Sequence, residues 1–255
     1  MPETSAVLDA LLRWIHVVAG ILWIGLLYFF NFVNIPFAAK MKEAGVGKTT
    51  VPELMPRALF WFRWGAAWTW VSGVLLLILV FYHGGTVFEG EAGFTGGTWG
   101  MIALVFVGVF IYDLVMKSPI AANPKAANTV CFALTAAVVA GLVYCSHFSY
   151  RGYVIHTGTL FGTVMAFNVW FRIWPAQRQI ITATKNGEAP DPALVALAGG
   201  RSRHNTYLSV PLVWMMLNSH TSAAAGHWVI LLVVTLVGWH VVFQLYKKSA
   251  AVEGF

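Results

Sequence analysis

Seven stretches of apolar residues, separated by polar or basic segments, constrain this chain more than any other feature. They run over Leu11–Val33, Phe60–Tyr82, Trp99–Met116, Ala127–His147, Tyr153–Trp174, Asn205–Asn218 and His227–Tyr246. A bilayer's hydrocarbon core is about 30 Å thick, and a helix needs roughly 20 apolar residues to cross it. No water is available there to the backbone, so spanning segments must satisfy their own N–H and C=O groups, as helices do. Composition agrees: 10% of the 255 residues are charged and 58% are hydrophobic, with mean hydropathy +0.71. A soluble domain usually carries about 25% charged residues. The expected fold is an all-α, polytopic membrane helix bundle of about seven transmembrane helices, one domain over residues 1–255. The sixth run is the shortest and holds Pro211, which a membrane helix tolerates where neighbours satisfy the freed carbonyl.

The basic residues give an orientation. All of the 16 lysines and arginines except Arg13 and Arg151 fall on alternate connections or on the C-terminal tail. Basic loops stay in the cytoplasm, which predicts the N-terminus outside and the C-terminus cytoplasmic, in a bacterial inner membrane. The net charge of +6 reflects that rule and not nucleic-acid binding. "GVGKTT", Gly45 to Thr50, imitates a phosphate-binding loop, but Lys42 stands where that motif needs its first glycine, and no buried strand precedes it. Cys131 and Cys145 lie inside the fourth run and make no disulfide framework. "CSH", Cys145 to His147, is not the C-x-x-C-H of a covalent c-type haem.

Histidine is the residue type that suggests chemistry. On the predicted topology His16, His83, His147, His156, His220 and His227 fall towards the outer face, while His204 and His240 fall towards the inner one. His16 differs from the rest, because it lies about 7–8 Å into the first run, at 1.5 Å per residue. Ionisable groups at that depth are rare and usually mark a site. Neutral imidazole binds haem iron, copper or zinc. Copper and zinc sites usually add carboxylate or thiolate ligands, which the outer loops hardly offer, so a b-type haem is favoured. The ligand pool is His16, His147, His156 and His220, of which two would bind the iron. The plainer reading keeps these histidines as packing or interface groups.

A secondary inner-side site is conceivable from Asp113, His204, Asn205 and His240. Against it, Asp113 has Lys117 at i+4 for an ion pair, and Asn205 can cap a helix. Arg57, Arg63, Arg201 and Arg203 suit an anionic substrate, haem propionates or lipid headgroups.

"LLRWIHVVAGILWIGLLYFFNFVN" (Leu11 to Asn34), "ALFWFRWGAAWTWVSG" (Ala58 to Gly73) and "RSRHNTYLSVPLVWMMLNSH" (Arg201 to His220) resemble the membrane domain of the cytochrome-c-linked bacterial urate oxidases. The resemblance covers nearly the whole chain, and "SRHNTYLS" is its most specific part. The style of the first run also occurs in membrane protoporphyrinogen oxidases and copper-resistance membrane proteins. Members of the urate oxidase family join such a domain to a c-type cytochrome. This chain carries no C-x-x-C-H, so the resemblance implies a separate c-type cytochrome or a larger membrane complex as electron partner. The expected function is a membrane redox protein that passes electrons from a small substrate or quinol to a periplasmic cytochrome. The alternative is a non-catalytic accessory subunit of a respiratory or photosynthetic complex.

Overall fold

The structure, a computed structural model, describes residues 4–90, 92–219 and 227–252. It is all helical, with no strand among the described residues. Seven helices follow one another: α1 Thr4–Glu43, α2 Gly47–His83, α3 Gly96–Lys117, α4 Pro124–Tyr144, α5 Tyr150–Asn186, α6 Pro192–Asn218 and α7 Trp228–Ser249. All but α6 are long and apolar enough to cross a membrane, so the chain is a multi-pass membrane protein.

Three of the helices outrun their apolar cores. α1 and α5 contain prolines that would ordinarily break them, and each meets its proline with a wider π-helical turn, Phe29–Asn34 before Pro36 and Val169–Ile173 before Pro175. A proline cannot donate to the carbonyl four residues back, and its ring crowds that carbonyl. The carbonyls four residues before these prolines are those of Phe32 and Phe171. Ser249 Oγ on α7 donates to Phe32 O, and Arg172 Nη1 donates to Phe171 O at 2.8 Å. Each of these carbonyls therefore has a side-chain donor.

α6 corrects the expected start of the sixth span. The helix begins at Pro192, so Asn205 lies in its interior and is not its cap. The reason is local: Gly187, in the left-handed conformation at φ 81°, ends α5, and Asp191 Oδ1 then accepts the Ala193 N–H at 2.8 Å with Pro192 at the first helical position. The polar linker thus holds the start signal of a long helix that carries Arg201, Arg203, His204 and Asn205 inward.

By contacts the chain divides into two compact units. The first comprises Met1–Ala10, Gly73–Val164 and Pro211–Val237; the second comprises Leu11–Ser72, Met165–Val210 and Gly238–Phe255.

In the first unit α3 starts at a reciprocal cap, in which Thr95 and Thr98 each accept the other's backbone N–H. Next to it, Gly97 approaches the Cys145 backbone so closely that a Cβ would lie 2.3 Å from the Cys145 oxygen. The connection after α2 folds inward at Val87, which is fully buried, and its carbonyl accepts the Ser149 N–H at 2.9 Å. Ser149 Oγ in turn accepts the Gly152 N–H at 3.2 Å and caps α5. The most apolar window of α5 is 67% buried, against 17–33% in the other five spanning helices. Polar side chains buried in such a window must find protein partners.

In the second unit α1 and α2 cross backbone to backbone at Gly65, where a Cβ would come within 3.3 Å of Trp23 N and 3.4 Å of Ala19 O. Small residues at a crossing let helices approach this closely in lipid. Trp23, Leu27, Phe30 and Phe62 are buried around it.

Candidate functional site

Two histidines occupy the polar interior, one in each unit, and their hydrogen bonds define their chemistry. In the first unit His156 on α5 is completely buried. Its Nδ1 lies 2.7 Å from the Gly152 carbonyl, which can only accept, so the ring proton sits on Nδ1. Its Nε2 lies 2.9 Å from Tyr82 Oη and accepts the phenolic proton. Phe148 stacks on the imidazole at 4.3 Å between centroids, and Tyr82 lies against it at 5.7 Å. This imidazole is neutral in tautomer, and both nitrogens are engaged. Iron could reach it only if Tyr82 moved away.

His16 on α1, in the second unit, is half-buried, and its Nδ1 lies 3.1 Å from Ser72 Oγ on α2. The Ser72 hydroxyl has one proton, and it donates that proton to the Trp68 carbonyl at 2.5 Å. The serine must therefore accept from His16, which fixes the proton on Nδ1; the Thr69 backbone is a further acceptor for the ring. Among the described residues no side chain hydrogen-bonds Nε2. A nitrogen tied to an acceptor that orients the ring is a feature ligating histidines share with hydrogen-bonded packing histidines.

The remaining members of the expected ligand pool are placed differently. His147 is exposed in the connection between α4 and α5, at φ 55°. His220 lies outside the described residues. His83 and His227 are exposed at helix ends, with His227 Nδ1 accepting the Val229 N–H at 3.3 Å.

Of the secondary cluster expected from Asp113, His204, Asn205 and His240, Asp113 belongs to the first unit and the other three to the second. Asp113, in the first unit, is 5% exposed and ion-paired with Lys117 at 2.8 Å, the simple i, i+4 pairing. In the second unit His240 is exposed and bonded to Gln244 at 3.2 Å. His204 is half-buried on α6, beside Asn205.

What does surround Asn205 is a network of neutral amides and hydroxyls that sequence reasoning missed. Asn205 Nδ2 donates to Met165 O and its Oδ1 accepts from Asn168 Nδ2, both at 2.9 Å. Asn168 Oδ1 accepts from Arg201 Nη1 at 3.3 Å, and Arg201 is 3% exposed. Across the same unit, Asn31 on α1 donates to Leu27 O at 2.8 Å and to Ser202 Oγ at 2.9 Å, and accepts from Tyr246 Oη at 2.7 Å. Tyr28 Oη and Ser209 Oγ are 3.0 Å apart. These bonds tie α1, α5, α6 and α7 in one register. The available signal was the asparagine inside each of two apolar runs, "FFNFVN" and "MAFNVW", since an amide at that depth needs a built partner.

A family model described as Urate oxidase N-terminal matches residues 3–253, nearly the whole chain. No curated protein and no solved structure matches it.

Proposed function

The chain belongs to the urate oxidase N-terminal family, and we propose that it is a membrane-embedded electron carrier holding a b-type haem on His16. The observation that carries this reading is the hydrogen-bond chain from His16 Nδ1 through Ser72 Oγ to Trp68 O, with no side chain bonded to Nε2 among the described residues. The donor set suits a porphyrin better than a bare ion. Among the described residues no group of three or more His, Cys, Asp or Glu side chains is placed to hold a metal ion. A haem would bring most of its iron's ligands itself, and His16 would hold it through an imidazole nitrogen. Bound there, it supplies one-electron transfer between a small substrate or quinol and a separate c-type cytochrome.

The protein's part in this is positional. Ser72 and the Trp68 carbonyl hold the imidazole in one tautomer, so no proton needs to leave His16 before it can bind. The Gly65 crossing keeps α1 and α2 at a fixed separation, and with them the two ends of that chain. The family, the multi-pass helices and the basic connections support placement in a bacterial inner membrane with the N-terminus outside.

The test is a dithionite-reduced-minus-oxidised spectrum of the purified protein, with His16→Ala and His156→Ala beside wild type. A haem α band that His16→Ala abolishes and His156→Ala leaves in place is the expected result. A band lost only in His156→Ala moves the cofactor to the other histidine. A well-folded wild type with no band overturns the proposal, and the accessory-subunit reading then leads.

A further inference from the structure

Arg63 on α2 is a cation of the second unit that the redox reading leaves unused. Its guanidinium carbon lies 4.0 Å from the Trp174 ring centroid, 5.6 Å from Phe60 and 6.0 Å from Trp170. Trp170 Nε1 donates to the Arg63 carbonyl at 2.9 Å, which pins the rings around it. Within this aromatic cage Arg63 Nε is buried and has no hydrogen-bond partner. No carboxylate pairs with Arg63 among the described residues. Glu43 and Glu53 of the same unit pair with Lys40 and Arg57 at 3.0 and 2.6 Å, and Glu188 and Asp191 are exposed on the linker. A guanidinium that no carboxylate neutralises suits an anion with oxygen acceptors.

The same stretch of α2 forms one wall of an apolar groove of about 520 Å³. Trp14, Val18 and Leu22 of α1 face Phe60, Trp64 and Trp68 of α2 across it. The groove is open, and Trp14 and Trp68 are 68% and 54% exposed. Phe60 belongs both to the groove and to the ring set around Arg63, so the cation stands beside one end of the apolar wall. From Phe60 to Trp68 the wall runs about 12 Å along the helix, room for a substantial part of one acyl chain.

We propose that Arg63 and this groove bind one anionic phospholipid, its phosphate on the guanidinium and an acyl chain along Phe60, Trp64 and Trp68. Charge and shape select the occupant together. A zwitterionic lipid fits the groove but lacks the net charge, and a free anion suits Arg63 but leaves the groove unused. His16 itself does not line the groove, although Trp68, whose carbonyl takes the Ser72 proton, does.

The test reads tryptophan quenching in the purified full chain in mixed micelles, with dibrominated-acyl phosphatidylglycerol or dibrominated-acyl phosphatidylcholine at rising mole fraction. The phosphatidylglycerol is expected to reach half-quenching at about fivefold lower mole fraction, the effect of one basic group near a headgroup. Arg63→Gln should remove that preference, and Arg63→Lys, which keeps charge and fold, should retain part of it. Equal quenching by both lipids in wild type overturns the proposal. So does loss of the preference when inorganic phosphate is added, which would make this a site for a free anion. Protection that grows with protein concentration and ignores the headgroup also overturns it, because the groove would then hold a second copy.

Discussion

Replacing Tyr82 by Phe removes a single oxygen atom, and its effect tests the account of His156 directly. The imidazole is fully buried, and its Nδ1 proton is committed to Gly152 O at 2.7 Å. Rotating the ring to present Nε2 elsewhere would break that bond and the 4.3 Å stacking on Phe148. Tyr82→Phe therefore leaves an enclosed acceptor without a donor, which costs about 1–3 kcal/mol in proteins generally. Side-chain hydrogen bonds in membrane proteins average lower, near 0.6 and at most about 1.7 kcal/mol, because the unfolded reference also finds partners. A loss of about 1.5 kcal/mol follows for this enclosed case. His156→Phe keeps an aromatic ring against Phe148 and strands the phenol instead, but Tyr82 is only half-buried and can turn its hydroxyl away. In the double variant both polar atoms are gone, so the two losses should not add. The assay is reversible unfolding of all four proteins by sodium dodecyl sulfate in mixed micelles, followed by circular dichroism. A coupling of about 1 kcal/mol is expected, with the Nδ1–H tautomer visible in the imidazole nitrogen resonances of wild type. A coupling below about 0.3 kcal/mol, or a Tyr82→Phe variant as stable as wild type, would refute the argument.

Two further perturbations probe the packing and a carbonyl that precedes a proline. Gly97→Ala puts a Cβ 2.3 Å from a backbone oxygen that cannot move alone, whereas at Gly141 the nearest atom is the terminal methyl of Met101 at 2.7 Å. Overpacking typically costs about 1–3 kcal/mol, so Gly97→Ala should lower the unfolding midpoint clearly, while Gly141→Ala should change it by about 1 kcal/mol or less. Ser249→Ala strips the donor from Phe32 O and should cost about 1 kcal/mol; adding Pro36→Ala restores a backbone N–H there and should recover most of it. If the double variant is no more stable than Ser249→Ala, the link between that proline and that hydroxyl is wrong.

The long apolar runs determined the class of fold, because backbone groups in hydrocarbon leave a chain no alternative to helices. They placed the spans well and their ends poorly. α6 shows why: its start depends on Asp191 and Pro192, in a linker that has no apolar periodicity to read. Local pairings were equally legible. Asp113 meets Lys117 because both stand four apart on one helix face. The family, too, was carried by motifs in the order they occur along the chain.

Which histidine finds a side-chain donor for its Nε2 was decided by tertiary structure alone. His156 and His16 look alike in sequence, each a lone imidazole in an apolar helix. They differ because a tyrosine 74 residues away donates to Nε2 of one ring, while a serine 56 residues away accepts from Nδ1 of the other. The amide network has the same origin, with Asn31 and Tyr246 meeting across 215 residues. Hydropathy specifies how deeply a side chain is buried. A tautomer depends on a proton's partners, and partners from distant helices come together only when the chain packs.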